Sequence, residues 1–168
     1  MSADLARVSV VVEVPPEVAF RVFTEDIDRW WRRGLAYRVA GRARGIVHLE
    51  PHVGGALYES FDGPDGPTIV PTGRITAWEP PDRLAFDWRS VTFAPAETTA
   101  VEVRFEAHAS ARGPATRVIV THAGWDAIRP DHPVRHGLAS GPFLAMIGRW
   151  WGDLLSSLRE STSPPRPF

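Results

Sequence analysis

The sequence predicts an α+β fold in which an antiparallel sheet curls around one long C-terminal helix. Three observations carry this. A valine-rich strand is followed by two short, tryptophan-rich helices; a run of strands punctuated by Gly and Pro fills the middle of the chain; and one long amphipathic helix ends it. A strand whose apolar residues alternate has one dry face and one wet face, so the sheet is covered on one side only.

Arg7 to Val14 reads as the first, buried strand. Pro15 and Pro16 stop it. Proline fits the first helical turn, and Val18, Ala19, Val22 and Phe23 follow at helical spacing, so a helix runs from about Pro16 to Phe23. Thr24 or Asp26 then caps a second helix through Trp31. Gly34, Gly41 and Gly45 break the next segment into loop and short strand. An antiparallel meander follows over Ile46–Glu50, Ala56–Phe61, Thr72–Trp78, Arg83–Arg89, Thr99–Ser110 and Thr116–Ala123, with the proline-rich stretch from Asp62 read as a turn. In the last helix, about Gly141 to Glu160, Phe143, Ile147, Trp150, Leu154 and Leu158 form one apolar stripe, widened by Met146, Trp151 and Leu155. Residues 1–160 are read as one domain and 161–168 as a disordered tail.

Composition removes several kinds of chemistry. All 19 basic side chains are arginine, and the chain lacks lysine, cysteine, asparagine and glutamine. Schiff-base, phosphate-loop lysine and thiolate mechanisms are therefore absent. A net charge of −1 excludes a general nucleic-acid or membrane-surface binder. Arg29, Arg32, Arg33, Arg38, Arg42 and Arg44 do sit among Trp30, Trp31 and Tyr37, but in this neutral context they read as a helix end and loop beside core tryptophans. No apolar run approaches the roughly 20 residues that span a bilayer, and the first residues do not form a secretion signal, so a cytoplasmic location is expected. His48/His52 and His132/His136 lack the helical spacing of a zinc site, and no glycine motif for nucleotides follows a strand, so no metal and no cofactor are expected.

Strand parity selects the inward side chains. Val101, Val103 and Phe105 define one inner face, Leu84, Phe86 and Trp88 a second, and Val118, Val120 and His122 a third. His122 is thus a polar group on an apolar face, suited to a ligand contact, to general acid–base chemistry, or to one satisfied core hydrogen bond. Glu59 shares its face with Leu57 and Phe61. It is either a pocket carboxylate that bonds a ligand or a rim glutamate paired with arginine. Trp30, Trp31, Trp88, Trp125, Trp150 and Trp151 supply core area, and in a hollow fold they line the hollow.

The stretches His48-Leu49-Glu50-Pro51-His52-Val53-Gly54-Gly55-Ala56-Leu57-Tyr58-Glu59, Gly73-Arg74-Ile75-Thr76-Ala77-Trp78-Glu79-Pro80-Pro81-Asp82-Arg83-Leu84 and Thr116-Arg117-Val118-Ile119-Val120-Thr121-His122-Ala123-Gly124-Trp125 carry a family resemblance, together with the Trp30-Trp31 and Trp150-Trp151 pairs. From about Val8 to Leu158 the chain resembles the family related to the activator of heat-shock-protein-90 ATPase, within the START-like (SRPBCC) superfamily. The resemblance implies a helix-grip fold: a seven-stranded antiparallel sheet around the C-terminal helix, with a hydrophobic cavity between them. It also implies a choice of roles, since the superfamily includes lipid carriers, polyketide binders, and aromatase and cyclase enzymes. The co-chaperone branch has an extra N-terminal domain, for which 168 residues leave no room.

The leading expectation is a protein that binds a small hydrophobic or aromatic ligand through Trp30, Trp31, Glu59, Phe61, Trp88, His122, Trp125, Phe143, Ile147 and Trp150. The alternatives are a cyclase-, aromatase- or hydrolase-like enzyme with His122 as acid or base beside Glu59, and a chaperone-related interaction module or homodimer with a tryptophan-rich interface.

Overall fold

The structure is a computed structural model that describes residues 4–41 and 44–163. Strand β1 (Ala6–Val12) is followed by helices α1 (Pro16–Glu25) and α2 (Ile27–Trp30). The strands β2 (Gly45–Leu49), β3 (Ala56–Gly63), β4 (Gly66–Glu79), β5 (Arg83–Trp88), β6 (Thr99–Ser110) and β7 (Gly113–Ala123) come next. Helix α3 (Ser140–Thr162) closes the chain. Every neighbouring pair in the seven-stranded sheet is antiparallel, in the order β1-β7-β6-β5-β4-β3-β2. The meander runs from β2 to β7, and β1 joins its far edge through pairs such as Val8↔Val120. This is the helix-grip architecture.

The strand parities predict the core. Val101, Val103, Phe105, Val118, Val120, Leu84 and Phe86 are all buried, and α3 places Phe143, Trp151, Leu154, Leu155 and Leu158 inward. Phe20 and Phe23 of α1 reach Phe105, with ring centroids 5.1 and 5.7 Å away. Helix α3 lies close over β1 because it carries Gly148 and Gly152 on that side, where added methyl groups would meet Val8 at 3.8 and 3.9 Å.

Several boundaries differ from the sequence expectation. The proline-rich stretch after Asp62 is not an irregular turn. Gly63 pairs with Gly66, so only Pro64 and Asp65 form the turn and β4 starts six residues earlier than expected. Pro67 and Pro71 are tolerated because this half of β4 pairs with β3 alone, while β5 engages only Ile75 to Glu79. The Thr24 or Asp26 cap is not formed. The Thr24 hydroxyl donates to the Phe20 carbonyl at 2.8 Å, α1 continues to Glu25, and α2 ends at Trp30. The segment from Gly34 to Gly41 contains turns and no strand. Of the expected tail, Ser161 and Thr162 finish α3, while 164–168 lie outside the described residues, as does Arg42.

Candidate functional site

The curl of the sheet leaves a cavity of about 610 Å3 between the end of β7, the end of β5, the loop 34–41 and α3. Trp88, His122, Trp125, Ile147 and Trp150 line it, with Met146 and Val134 extending the apolar wall and Glu59, Arg89 and His136 among the polar residues. Two other depressions measure about 490 and 700 Å3. The first lies between α1 and Trp78, and the larger is a groove with the charged residues Asp28, Arg33, Arg44 and Asp62 on its walls. The 610 Å3 cavity brings three tryptophans together with the buried polar residues His122, Glu59 and Arg38, and is taken as the candidate site.

His122 is held on both sides. It pairs across the sheet with Val101, is buried, and accepts a hydrogen bond at Nδ1 from the Trp151 indole at 3.1 Å. Nδ1 therefore carries no proton in this arrangement, and Nε2–H donates to Thr99 Oγ1 at 2.7 Å. Burial disfavours the charged ring and lowers its pKa from near 6.5 to about 3. A neutral imidazole with both nitrogens engaged has neither a proton to release nor a lone pair to offer. This geometry gives no support to His122 as general acid or base.

Glu59 is equally committed. Its two carboxylate oxygens accept from the Val39 and Ala40 amides at 2.9 and 3.2 Å. It ties the 34–41 loop over the cavity, and it neither pairs with arginine nor reaches His122 by any hydrogen bond among the described residues. The loop has further anchors. Trp150 Nε1 donates to the Ala36 carbonyl at 2.6 Å, and the Tyr37 hydroxyl donates to Asp153 at 3.2 Å. Buried Arg38 donates to Asp28 at 2.7 Å and to the Arg32, Gly45 and Trp31 carbonyls. Burial pushes the Asp28 carboxyl upward, but bonds from the Val47 amide and Arg38 outweigh it and hold Asp28 below its ordinary value.

Among the ten expected contact residues, Glu59, Trp88, His122, Trp125, Ile147 and Trp150 border the cavity. Four do not. Trp30 is fully buried, donates to the Phe23 carbonyl and packs on Phe23. Trp31 lies behind the wall, stacked on Trp88 at 6.0 Å. Phe143 is buried against Trp125, and Phe61 lines the charged groove instead. Sequence reasoning missed His136, considered only as a metal ligand. This histidine is exposed at the cavity in the left-handed conformation (φ 50°), ahead of Gly137 at φ 74°. The His-Gly dipeptide was the available signal, since both residues are enriched at positive φ. His48 bonds Ser60 and stacks on Tyr58, and His132 bonds Val134 N and Glu97. No metal-binding group of three such side chains occurs among the described residues. No helix among them is long and apolar enough to cross a membrane.

Among curated proteins none matches the sequence significantly. Solved structures do. An anthrahydroquino-γ-pyrone synthase, Txn09, solved as a complex, is 31% identical with a TM-score of 0.56, over 93% of this chain and 95% of that one. DynU16, a protein of the dynemicin biosynthetic locus, is 21% identical with a TM-score of 0.59; the match covers 95% of this chain and 47% of that one. The Aha1 dimer from Colwellia psychrerythraea is 16% identical with a TM-score of 0.56, over 94% and 95% of the two chains. The family model described as "Activator of Hsp90 ATPase homolog 1-like protein" matches residues 13–140. With the sheet, the enclosed helix and a match over well more than half of its length, this chain belongs to the Activator of Hsp90 ATPase homolog 1-like family.

Proposed function

We propose that this protein binds a small, largely apolar ligand with an aromatic framework in the cavity between β5, β7 and α3. The observation that carries this reading is the wall itself. Trp88, Trp125, Trp150, Ile147 and Met146 border a space of drug-like size, while the hydrogen-bonding atoms of the buried polar groups His122 and Glu59 are already taken by the protein, so an apolar guest leaves none of them unpaired. The synthase relative, by its name, handles a polycyclic aromatic molecule, which supports the same ligand class here. Native mass spectrometry of gently purified protein, compared with the denatured mass, tests the proposal. An adduct lost on denaturation is the expected result. Protein that stays bare and also takes up no aromatic probe overturns it.

A second reading, chemistry on the bound molecule, is favoured by that same relative being a synthase. It would rest on His136 at the cavity mouth, since His122 is locked. The check is to incubate the captured ligand with protein. A changed ligand mass with wild type, and not with His136→Ala, supports catalysis; an unchanged mass supports simple binding. Homodimerisation, with the Colwellia Aha1 dimer as precedent, is read by sedimentation.

A further inference from the structure

The groove between α1 and Trp78 has no part in the tryptophan-lined cavity, and its chemistry matches a segment of this same chain. Its apolar surface comes from Phe20 of α1, Leu49 at the end of β2, Trp78 of β4, and the prolines Pro51, Pro80 and Pro81. Trp78 is half-buried, and Phe20 stands edge-on to it with ring centroids 5.2 Å apart. Its indole N–H bonds to no described residue and, unlike that of Trp125, is not sealed from solvent. Aromatic grooves with a free donor are what proline-rich segments dock on, because such segments are already extended and lose little entropy when held.

The charge around the groove is acidic. Glu17 and Glu25 line it from α1, while Glu50 and Asp82 adjoin Pro51 and Pro81 in sequence, and all four are exposed. None of these carboxylates is in an ion pair among the described residues, and Arg21 is the one cation on the groove wall among them. Such a surface favours a basic occupant.

Outside the described residues, the one part of the chain that carries proline is 164–168, which reads Pro164-Pro165-Arg166-Pro167-Phe168. Its single charged side chain is positive, and it ends in an aromatic ring. Its length is sufficient. Helix α3, which ends at Thr162, packs on α1, and α1 forms one wall of the groove. A polyproline stretch of this length extends about 16 Å, and a helix is about 10–12 Å across, so the segment can pass α1 to the groove.

We infer that the C-terminal segment 164–168 docks in this groove of its own chain, with its prolines and Phe168 against Trp78 and Leu49 and with Arg166 among the carboxylates. Docked there, it fastens the end of α3 to α1 and to the turn between β4 and β5. This is independent of the reading of the ligand cavity.

The test compares NMR spectra of the full chain with those of a chain that stops at Ser163. The Trp78 indole proton, identified by its loss in Trp78→Phe, and the amides of Glu17 to Glu25 are expected to differ between the two. A synthetic Ser-Pro-Pro-Arg-Pro-Phe peptide added to the shortened chain is expected to return these signals, saturably, to their full-length positions. The same peptide with Glu in place of Arg is expected to bind about tenfold more weakly, since it sets like charge against the carboxylates. In the full chain, Arg166→Glu is expected to shift the signals toward those of the shortened chain, and Arg166→Lys to leave them in place. Matching groove signals in the full and shortened chains overturn the proposal, as do differences that appear only when protein concentration is raised, which would assign the groove to another copy's segment. Equal binding of the Arg and Glu peptides overturns the charge-matched docking. All of these changes but the assignment variant lie beyond α3, so loss of the fold does not confuse the result.

Discussion

At the scale of the residue, His122 and Glu59 are polar groups facing inward, and each is spent on the fold. The His122 ring must be neutral to sit between Trp151 and Thr99, which ties its burial to pH. Above the ordinary histidine pKa near 6.5 the ring is neutral folded or unfolded, and there is no penalty. Below it the unfolded chain takes up a proton that the native ring refuses until about pH 3. Folding stability therefore falls with acid by up to about 1.4 kcal/mol per pH unit across that window. Denaturant melts at pH 7 and pH 5 check this, with His122→Gln losing most of the slope. Asp28, whose pKa is depressed, keeps its contribution above its ordinary value near 3.8 and loses it only as the pH falls below that, so the two effects separate. For Glu59→Gln, one acceptor oxygen remains for the two loop amides. Stability is expected to drop by about 1–2 kcal/mol, with faster hydrogen exchange confined to Val39, Ala40 and their loop neighbours. The inward parity of both residues was legible in the alternation of β3 and β7. Their partners were not, because Trp151 lies 29 residues from His122 in sequence, and the amides facing Glu59 lie 19 and 20 residues away.

At the scale of the element, periodicity served well wherever one face of a strand or helix is dry. The last helix was legible from about Gly141 to Glu160, short of its end at Thr162, although its buried line runs through Trp151 and Leu155 and leaves Ile147 and Trp150 half-buried toward the cavity. The β3–β4 hairpin was misread, because proline signals a break unless the strand has an unpaired edge, and strand neighbours are a property of the sheet. Two glycines give opposite predictions. At Gly152 a methyl group meets only Val8, at an ordinary contact distance of 3.9 Å, so Gly152→Ala is expected to stabilise the protein by about 0.5–1 kcal/mol through helix propensity. At Gly73 the same methyl would lie 1.8 Å from the Asp87 carbonyl oxygen. There β4 passes too close to the end of β5 for any side chain, and Gly73→Ala is expected to cost about 3 kcal/mol or more by forcing the strands apart. Thermal melts of the two variants beside wild type give the signs directly.

At the scale of the whole molecule, the cavity belongs to no single element: β5, β7, α3, the 34–41 loop and the segment around Val134 and His136 each supply part of the wall. Unfolding separates these elements and destroys the site, so a ligand bound there binds the native state alone and stabilises it by mass action. An aromatic probe at about 100 times its Kd is expected to add about 2.7 kcal/mol to the unfolding free energy. Calorimetry reads the shift, and a transition left unchanged at that concentration shows that the probe does not bind the native protein. The sequence by itself determined the order of elements, the inner faces of the strands, the apolar stripe of α3, and the absence of lysine and cysteine chemistry. These are matters of composition and of periods two and 3.6, which are local. Only the tertiary structure decided that His122 and Glu59 are held by the fold, that Trp30, Trp31, Phe61 and Phe143 stand off the cavity, that His136 stands at it, and that the buried Trp125 N–H meets no acceptor among the described residues. Whether a polar atom is satisfied depends on which distant residue packs against it, and no local pattern along the chain records that pairing.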